Sequence, residues 1–399
     1  MLHEVWIARQ KLGHTQNPLT STPAEKRAQM IIAEARLHRV SMPLIAPFTT
    51  SFGTEYTREA LLVELAVDTP AGPVTGWGEC VAMEEPLYSA EYVDGCAEVI
   101  RRWLVPALVA ADDLVAESVA HHLRHVVGHP MSKAAVEMAV LDALLRVVFL
   151  SFQTYLGATR SSVPSGVSVG IQDSIEQTLR VVAGYRDEGY ARIKLKIAPG
   201  WDVEPVRAVR QMFGDDMLLR VDANAAYTLV DTPTLRRLDH FDRLLIEQPL
   251  AENDLRQHAQ LASRLRTPIC LDESIVSAES AADAITLGAA QVINIKPGRV
   301  GGYLEAVRIH DLAKAHGVAV WCGGMLETGL GRSANAALAA LPGFVLPGDI
   351  SASARFYELD ITEPVEMRDG EVAVDSSPGI GRAPIPELLA RFRTRLVSC

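Results

Sequence analysis

The pattern of hydrophobic and polar positions changes several times along the chain. Residues 1–29 are polar and unpatterned, which predicts a loosely ordered extension, with Met30 as an alternative start. The segment that follows alternates apolar and polar residues around a Pro/Gly turn, as strands do. From Tyr92 to about Leu156, apolar residues recur every three or four positions, which is the period of a helix. Strands followed by helices predict an α+β domain over residues 30–160.

After Ser162, short apolar runs recur about every 25 residues, and a helical stretch follows each one. The seven runs are VPSGVSVGI, ARIKLKI, MLLRVDA, RLLIEQP, TPICLDE, AQVINIK and VAVWCGG. Such a repeat is typical of a parallel barrel or a doubly wound sheet, and the lack of a GxGxxG motif after the first run favours the barrel. We therefore predict an α/β protein with a modified, TIM-like (β/α)7β barrel over residues 161–355. A C-terminal segment, residues 356–399, is expected to pack back on the first domain.

Composition narrows the class of protein. A chain of 399 residues, 48% of them hydrophobic, suits a soluble barrel with an accessory domain. A net charge of −11 provides no basic stripe for nucleic acid, and no apolar run is long enough to cross a membrane. The five cysteines form no CxxC pair, so they predict reduced thiols and a cytoplasmic location rather than disulfides or a zinc site.

Three carboxylates end three consecutive runs. They are Asp222, Glu247 and Asp272, each 25 residues after the one before. This spacing predicts that they lie at the same height at the C-terminal ends of neighbouring strands, where barrel enzymes carry catalytic groups. Converging carboxylates repel one another unless a cation lies between them. Because no His or Cys accompanies them, the ligand set favours Mg²⁺, with Mn²⁺ or another divalent cation as a substitute.

Lysines flank these carboxylates on the preceding and the following strand. Lys194 and Lys196 of RIKLK lie on one face, because side chains alternate along a strand, and Lys296 ends VINIK. Burial and neighbouring cations both disfavour a charged lysine, so a lysine here can act as a base near neutral pH. A lone acidic residue at a strand end is commonly a helix cap or a loop charge. Five charged residues in register across five strands are hard to explain in that way, and instead indicate metal-assisted removal of a proton next to a carboxylate.

The Lys-x-Lys, Asp, Glu, Asp, Lys series on successive strands resembles the enolase superfamily, in its muconate-lactonizing subgroup. The segments SVGI, KIAPGWD, VDANAAY, IEQPL, CLDES, NIKPGRVGG and WCGGMLETGLG are similar to its o-succinylbenzoate synthase and N-succinylamino acid racemase branch, from about Ile31 to Gly381. The resemblance implies that the α+β domain caps the barrel mouth. It also implies a small-molecule carboxylate substrate and a homo-oligomer.

The resemblance further implies roles for individual residues. Lys196 and Lys296 would be the catalytic lysines on opposite faces of the substrate α-carbon, and Asp222, Glu247 and Asp272 would ligate the metal. The residues implied to bind substrate are Ser168, Lys194, Asn224, Arg299, Gly324 and Met325. Glu273 would pair with Lys296 without contacting the substrate itself. The residues that match the closing loops of the cap are Phe48, Phe52, Met83 and Tyr88.

Structural alternatives stay open for several of these residues. Asn224 also suits a turn and Ser168 a backbone-bonded core position. The Gly323–Gly329 loop, expected to cradle the acyl end of a substrate through main-chain N–H groups, also suits a tight turn. Arg299 also suits a surface salt bridge. Any of the closing-loop residues can equally be ordinary core.

Two reactions fit the resemblance. One is the dehydration that forms o-succinylbenzoate for menaquinone synthesis, and the other is racemisation of N-succinyl or other N-acylamino acids. We expect one enzyme to perform both. Racemisation alone, dipeptide epimerisation and muconate cycloisomerisation are alternatives within the superfamily. A catalytically silent barrel used for binding is the alternative from another class.

Overall fold

The computed structural model of the chain describes residues 30–69, 72–112 and 114–399. The predicted extension, residues 1–29, lies outside the described residues. Within them, no helix combines the length and the apolar character that crossing a membrane requires.

The N-terminal part contains a four-stranded antiparallel sheet. Its strands are β1 (Ile31–Thr49), β2 (Thr54–Thr69), β3 (Gly72–Cys80) and β14 (Arg393–Ser398), and they lie in the order β14-β1-β2-β3. The last strand of the chain pairs with the first, so the C-terminus returns to this sheet. β1 and β2 remain paired as far as Thr49 and Thr54, and together they form a two-stranded ribbon that reaches towards the barrel.

Helices follow these strands, as the change of period predicts. They are α1 (Val93–Val99), a π-helical turn (Ile100–Leu104), α2 (Val105–Val109), a 3-10 turn (Ala116–Ser118), α3 (Val119–His122), α4 (Pro130–Val147) and α5 (Phe152–Leu156). The long helix α4 packs directly on β3. A Cβ atom at Gly78 would lie 1.9 Å from the Ala135 carbonyl oxygen, so glycine in the strand is what permits this close approach.

Seven parallel strands form the second sheet, in simple sequence order. They are β5 (Gly166–Val169), β6 (Arg192–Lys196), β7 (Leu218–Asp222), β8 (Ile246–Glu247), β9 (Ile269–Leu271), β10 (Val292–Ile295) and β11 (Ala319–Cys322). An irregular segment takes the eighth place. Asp349 N donates to Cys322 O at 2.9 Å, and Gly166 N donates to Gly348 O at 2.7 Å, so this segment bonds to both edge strands. The prediction of a modified (β/α)7β barrel is confirmed.

Helices alternate with the barrel strands. They are α6 (Ile175–Asp187), α7 (Val203–Phe213), α8 (Thr232–Leu235), α9 (Leu255–Ala262), α10 (Ala278–Leu287), α11 (Pro297–Val300), α12 (Tyr303–Ala315) and α13 (Gly329–Ala339). Three 3-10 turns accompany them, at Leu229–Asp231, Arg236–His240 and Ser353–Arg355. Their starts follow ordinary capping chemistry: the Ser174 hydroxyl, for example, accepts from Gln177 N at 3.1 Å at the start of α6.

The C-terminal segment contacts both parts. A small antiparallel sheet joins β12 (Met367–Arg368) and β13 (Glu371–Ala373) to β4 (Ser162–Pro164), which precedes the barrel. Helix α14 (Pro386–Phe392) then leads into β14. The domain limits at residues 30–160, 161–355 and 356–399 stay a prediction.

The apolar cores of the two parts interlock. Met42 and Leu62 from the first sheet belong to the barrel core, whereas Met325 from the loop after β11 belongs to the core beneath the capping sheet, with Cys80 and Val81. The mouth of the barrel therefore lies against the first sheet and the loops that follow it, which places any cavity at the mouth between the two parts.

Candidate active site

The strand register places three of the charged residues side by side. Lys196 on β6 is opposite Asp222 on β7, which is opposite Glu247 on β8. Glu247 is opposite Cys270, so Asp272 lies two residues farther along its strand, and Lys296 is displaced again on the next strand. Strands of a closed barrel are tilted, which staggers their residues. The expected common height is therefore correct for the first three residues and wrong for Asp272 and Lys296.

Lysines and carboxylates are paired throughout the mouth. Three pairs join the predicted residues: Lys196 Nζ–Asp222 Oδ2 at 2.7 Å, Lys296 Nζ–Asp272 Oδ2 at 2.7 Å and Lys194 Nζ–Glu247 Oε2 at 3.0 Å. None of these six residues is more than 8% exposed. Since buried charges persist only when they are paired, the pairs explain how so many charges are kept out of water. The structure thus brings together all five predicted catalytic and metal-binding residues, and Lys194 with them.

These charges shift one another's pKa. Burial raises the pKa of Asp222, but the adjacent ammonium groups, Lys196 foremost, outweigh burial and bring it to about 2. Burial and the Asp222 carboxylate together raise the pKa of Glu247 to about 7. For Lys296, burial lowers the pKa, but the surrounding carboxylates, Asp272 foremost, raise it well above its usual value. At Lys296 the carboxylates therefore outweigh burial and favour the charged ammonium form.

The donor set of the mouth fits a hard divalent cation. In the described residues no three His, Cys, Asp or Glu side chains are arranged as a formed metal site, since the carboxylates turn towards lysines. However, Oδ1 of the buried Asp272 accepts no hydrogen bond from any described residue, and its Oδ2 contacts only the Lys296 ammonium group, outside hydrogen-bond geometry. A buried carboxylate with unused acceptor capacity, next to two more carboxylates that repel it, is the chemistry that Mg²⁺ satisfies with oxygen ligands.

Asn224 links a lysine to a carboxylate. Lys196 Nζ donates to Asn224 Oδ1 at 2.7 Å, and Asn224 Nδ2 donates to Glu273 Oε1 at 2.9 Å. Its backbone is in the left-handed region, with φ of 42°, so both interpretations of Asn224 hold: it occupies a turn and it contacts the site. Glu273 forms its hydrogen bond with Asn224, whereas Asp272 is the carboxylate in direct contact with Lys296. Glu273 acts on Lys296 only through its charge, which helps to raise the lysine pKa.

Arg299 and the capping loop meet around Tyr88. Arg299 is 5% exposed and donates through Nη2 to Glu273 O at 2.8 Å. The same Nη2 lies 3.9 Å from Oε2 of the exposed Glu252, so Arg299 is a buried residue that still forms a long ion pair with a surface carboxylate. Its guanidinium carbon lies 5.0 Å from the centre of the Tyr88 ring. Lys296 Nζ donates to the Tyr88 hydroxyl at 2.9 Å, and the Phe52 ring packs on Tyr88 with centroids 5.4 Å apart. The cap therefore contacts one of the two predicted catalytic lysines directly.

A cavity of about 60 Å³, open to solvent at its mouth, lies over the lysines. Its lining includes Phe48, Ser168, Lys194, Lys196, Lys296, Gly324, Leu326, Glu327, Asp349 and Phe356. Ser168 Oγ is 3.4 Å from Asp349 Oδ2, so its side chain faces a carboxylate as well as the cavity. Gly324 reaches the cavity, but Met325 turns its side chain into the capping core. The Met325 N–H donates to Glu327 Oε1 at 2.9 Å.

Two polar residues of the site escaped the sequence analysis. Asp349 Oδ2 lies 2.7 Å from Lys194 Nζ and its Oδ1 lies 2.5 Å from Arg192 Nη2. It comes 27 residues after Cys322, so continuing the repeat by one unit would have found it. Asn294 Nδ2 donates to Glu247 Oε1 at 2.9 Å. It stands two residues before Lys296, and strand alternation places both on one face.

Comparison with known proteins decides the family. Residues 32–157 match the mandelate racemase / muconate lactonizing enzyme N-terminal domain, and residues 177–387 match the enolase C-terminal domain-like family. The chain belongs to the enolase superfamily. The superfamily explains why an antiparallel cap and a barrel mouth together enclose the site.

The relatives within the superfamily are enzymes. The chain is 63% identical over 368 residues to an N-succinylamino acid racemase of Amycolatopsis sp, covering 92% of this chain and 99% of that relative. It is 47% identical over 346 residues to an o-succinylbenzoate synthase of Geobacillus kaustophilus, covering 86% and 91%. A crystal structure of an enolase superfamily member from Listeria innocua superposes with a TM-score of 0.88 at 39% identity, covering 92% and 99%.

Proposed function

We propose that this chain removes the α-proton of a carboxylate substrate and catalyses two reactions: dehydration to o-succinylbenzoate and racemisation of N-succinylamino acids. The observation that carries the proposal is the placement of Lys196 and Lys296. They arise from strands on either side of Asp222, Glu247 and Asp272, and both line the same cavity. Two lysines separated by a row of carboxylates can approach one carbon atom from opposite faces.

In the racemisation, one lysine takes the α-proton and the other returns a proton to the opposite face. A lysine must be neutral to accept a proton and charged to donate one, so the two lysines exchange these states once per turnover. The ammonium of Lys194, held by Glu247 and Asp349, would orient the substrate carboxylate. Asn224 would orient Lys196 through its 2.7 Å hydrogen bond.

In the dehydration, Lys196 would take the α-proton and then give it to the departing hydroxyl group, which leaves as water. The carbon–oxygen bond breaks with its electron pair on the oxygen, so no oxidant or reductant is needed. Lys296 would remain charged and stabilise the negative charge that develops on the substrate. The Tyr88 hydroxyl and the Asp272 carboxylate would keep its ammonium group in place.

Asp222, Glu247 and Asp272 would hold the divalent cation. When bound, Mg²⁺ or Mn²⁺ supplies Lewis-acid stabilisation of the second negative charge on the substrate carboxylate. We infer that Glu247 acts as a metal ligand in its ionised form, with Asn294 as a hydrogen-bond donor that fixes one of its oxygens.

The direct test uses the purified chain with Mg²⁺ in D₂O. With an N-succinylamino acid as substrate, α-proton exchange is measured as loss of the α-proton NMR signal, and racemisation is measured by optical rotation. With a 2-succinyl-cyclohexadiene carboxylate as substrate, dehydration is measured by the ultraviolet absorbance of the aromatic product. We expect both substrates to react; the absence of reaction with either, in a folded and metal-loaded protein, contradicts the proposal.

Racemisation alone is the second candidate. The observation that favours it is the 63% identity to an N-succinylamino acid racemase, which exceeds the 47% identity to the synthase of Geobacillus kaustophilus. Exchange of the α-proton without any dehydration would select this candidate. A cytoplasmic location is consistent with five free cysteines, and a homo-oligomer stays a prediction.

A further inference from the structure

A buried carboxylate joins the capping sheet to the barrel without taking part in the ion pairs of the mouth. Glu79, at the end of β3, is 3% exposed. Its Oε1 accepts from Thr328 N at 2.9 Å, and its Oε2 accepts from Thr328 Oγ1 at 2.7 Å and from Gly331 N at 3.0 Å. These donors lie at the start of helix α13, where free N–H groups and the helix dipole favour an anion. Glu79 therefore fastens the start of α13 to the capping sheet.

The chain fastened in this way continues directly into the wall of the cavity. Gly324, Leu326 and Glu327 line the cavity, and Thr328 follows them immediately. The same loop has a second anchor, because the Met325 side chain is buried in the capping core. The position of this wall therefore depends on the cap at two points, Met325 and Thr328.

Glycines in this segment serve the contact with the cap. A Cβ atom at Gly331 would lie 2.8 Å from Glu79 Oε2 and 3.0 Å from the Glu327 side chain. Glycine at this position is therefore what lets the carboxylate reach the backbone. The expectation that glycines make room for a ligand concerns the Gly323–Gly329 loop. Gly331 lies two residues beyond that loop and makes room for Glu79.

The cavity has two chemically different sides. Three lysines, Lys194, Lys196 and Lys296, lie on the side that would hold the substrate carboxylate and its α-carbon. The loop wall, with Gly324, Leu326 and Glu327, supplies backbone, apolar surface and one carboxylate. The part of a substrate that extends away from the lysines would meet this wall, and in an N-acylamino acid that part is the acyl group or the side chain.

We propose that Glu79 is a positioning residue that fixes the Gly324–Glu327 wall and thereby sets the acyl preference of the site. This inference rests on the proposed function, since acyl preference requires an N-acylamino acid substrate. Glu79 touches no reacting atom. It acts by holding Thr328 and Gly331, so loosening it shifts the wall while the lysines and the carboxylates of the mouth stay in place.

The test compares Glu79→Gln with the unmodified protein on an N-succinyl and an N-acetyl derivative of one amino acid. A neutral amide presents one oxygen to three donors, so the wall loses part of its anchor. We expect KM for the N-succinyl substrate to rise about tenfold with kcat within about threefold, because binding geometry rather than proton transfer is disturbed. The ratio of kcat/KM for the two acyl groups should shift by at least about fivefold.

Asp142→Asn is the matched control. Asp142 is also a buried capping-domain carboxylate that accepts from backbone, from Trp77 N at 2.9 Å and Ile380 N at 2.8 Å. It pairs in addition with Arg146 Nε at 3.0 Å, and none of these three partners lies in the loop wall. Both substitutions should lower the melting temperature, but only Glu79→Gln should change the acyl ratio. An unchanged ratio in a folded Glu79→Gln protein overturns the proposal and assigns Glu79 a purely structural role.

Substitutions of Thr328 provide a milder test of the same contact if Glu79→Gln fails to fold. Thr328→Val removes one of the three donors to Glu79 and should shift the acyl ratio by about twofold, whereas Thr328→Ser keeps the hydroxyl and should restore it. Equal ratios in both variants contradict the proposal. Failure of the proposed function is recognised separately, because the unmodified protein would then exchange the α-proton of neither acyl derivative.

Discussion

Two regions of this molecule bury carboxylates, and they neutralise them in different ways. At the barrel mouth, Asp222, Glu247 and Asp272 face lysine ammonium groups. In the seam between cap and barrel, Glu79 and Glu137 face backbone N–H groups at the starts of helices: Glu137 accepts from Leu304 N at 2.9 Å beside α12, as Glu79 does beside α13. A lysine can give up its proton or yield its place to a metal ion, whereas a backbone amide can do neither.

This difference separates chemistry from positioning. The mouth holds groups whose protonation can change during turnover, and so it is suited to moving protons. In the seam, the buried carboxylates bind fixed backbone dipoles, and these contacts hold the capping domain in place against the barrel. A disturbance of the mouth should therefore affect the chemical step, and a disturbance of the seam should affect stability and substrate preference.

The largest expected effect on the mouth comes from removing the divalent cation. Chelation with EDTA followed by dialysis should reduce both reactions to background, and Mg²⁺ or Mn²⁺ should restore them. Bound metal also stabilises the fold, by about 2.7 kcal/mol at one hundred times the dissociation constant. Mg²⁺ should accordingly raise the melting temperature of the unmodified protein, and the increase should be smaller in Glu247→Gln, which lacks one anionic ligand. Full activity in excess EDTA would falsify the metal assignment.

Next in size are substitutions of the two lysines. With an N-succinylamino acid in D₂O, Lys196→Ala should abolish α-proton exchange from one enantiomer and Lys296→Ala from the other. Racemisation needs both, and a positioned general base contributes about 10²–10⁴-fold, so either variant should lose racemisation by at least that factor. The measurement is enantiomer-resolved NMR exchange. Loss of exchange from the same enantiomer in both variants would contradict the opposite-face arrangement.

A smaller and more selective effect is expected from Lys296→Arg. Arginine keeps the positive charge but does not release its proton near neutral pH. The variant should lose racemisation while retaining part of the dehydration, in which Lys296 serves as a cation. Comparing the two kcat/KM values in one folded preparation checks this division. An equal loss of both reactions counts against it.

The sequence predicts the mouth well because barrel geometry converts a regular spacing into proximity. Carboxylates 25 residues apart at strand ends had to meet at one face, and Asp222 and Glu247 are indeed opposite each other. The displacement of Asp272 was not predicted, because the tilt of the strands is set by closure of the whole barrel. Asp349 was missed because its segment is irregular, although it follows the same repeat.

The seam was not predictable in the same way. Glu79 lies near the end of an ordinary strand pattern and Glu137 within an ordinary helix pattern. Apart from the Thr328 hydroxyl, the hydrogen-bond donors described for them are backbone N–H groups, which exist at nearly every residue and so give no sequence signal. The only trace is glycine: a Cβ atom at Gly302 would lie 1.1 Å from Glu137 Oε2. Gly302 ends the NIKPGRVGG segment that resembles the family, and only the three-dimensional structure shows that it makes room for a carboxylate of the cap.

The smallest effect, and the sharpest contrast between the regions, is the dependence of stability on pH. Burial raises the pKa of Glu137 to about 8, despite the backbone hydrogen bond from Leu304 that opposes the shift. At the mouth, Arg192 and Lys194 outweigh burial and hold the pKa of Asp349 below its usual value. A group with a raised folded pKa contributes stability that is complete below its unfolded pKa and is lost as the pH rises through the folded value. A lowered pKa gives stability that is lost only as the pH falls below the unfolded value.

The window from pH 5 to pH 8 therefore separates the two carboxylates. Between pH 5 and pH 8, the contribution of Glu137 to the free energy of unfolding declines in the unmodified protein. The stability of Glu137→Gln relative to the unmodified protein should therefore rise with pH. The total gain should be about 1–3 kcal/mol, since one pKa unit corresponds to about 1.4 kcal/mol. The contribution of Asp349 is complete throughout this window, so Asp349→Asn should be destabilised by an amount that does not change with pH. Urea denaturation of the three proteins at several pH values measures both differences. A flat difference for Glu137→Gln would show that the helix start holds Glu137 ionised, and the seam would then resemble the mouth in carrying permanent charge.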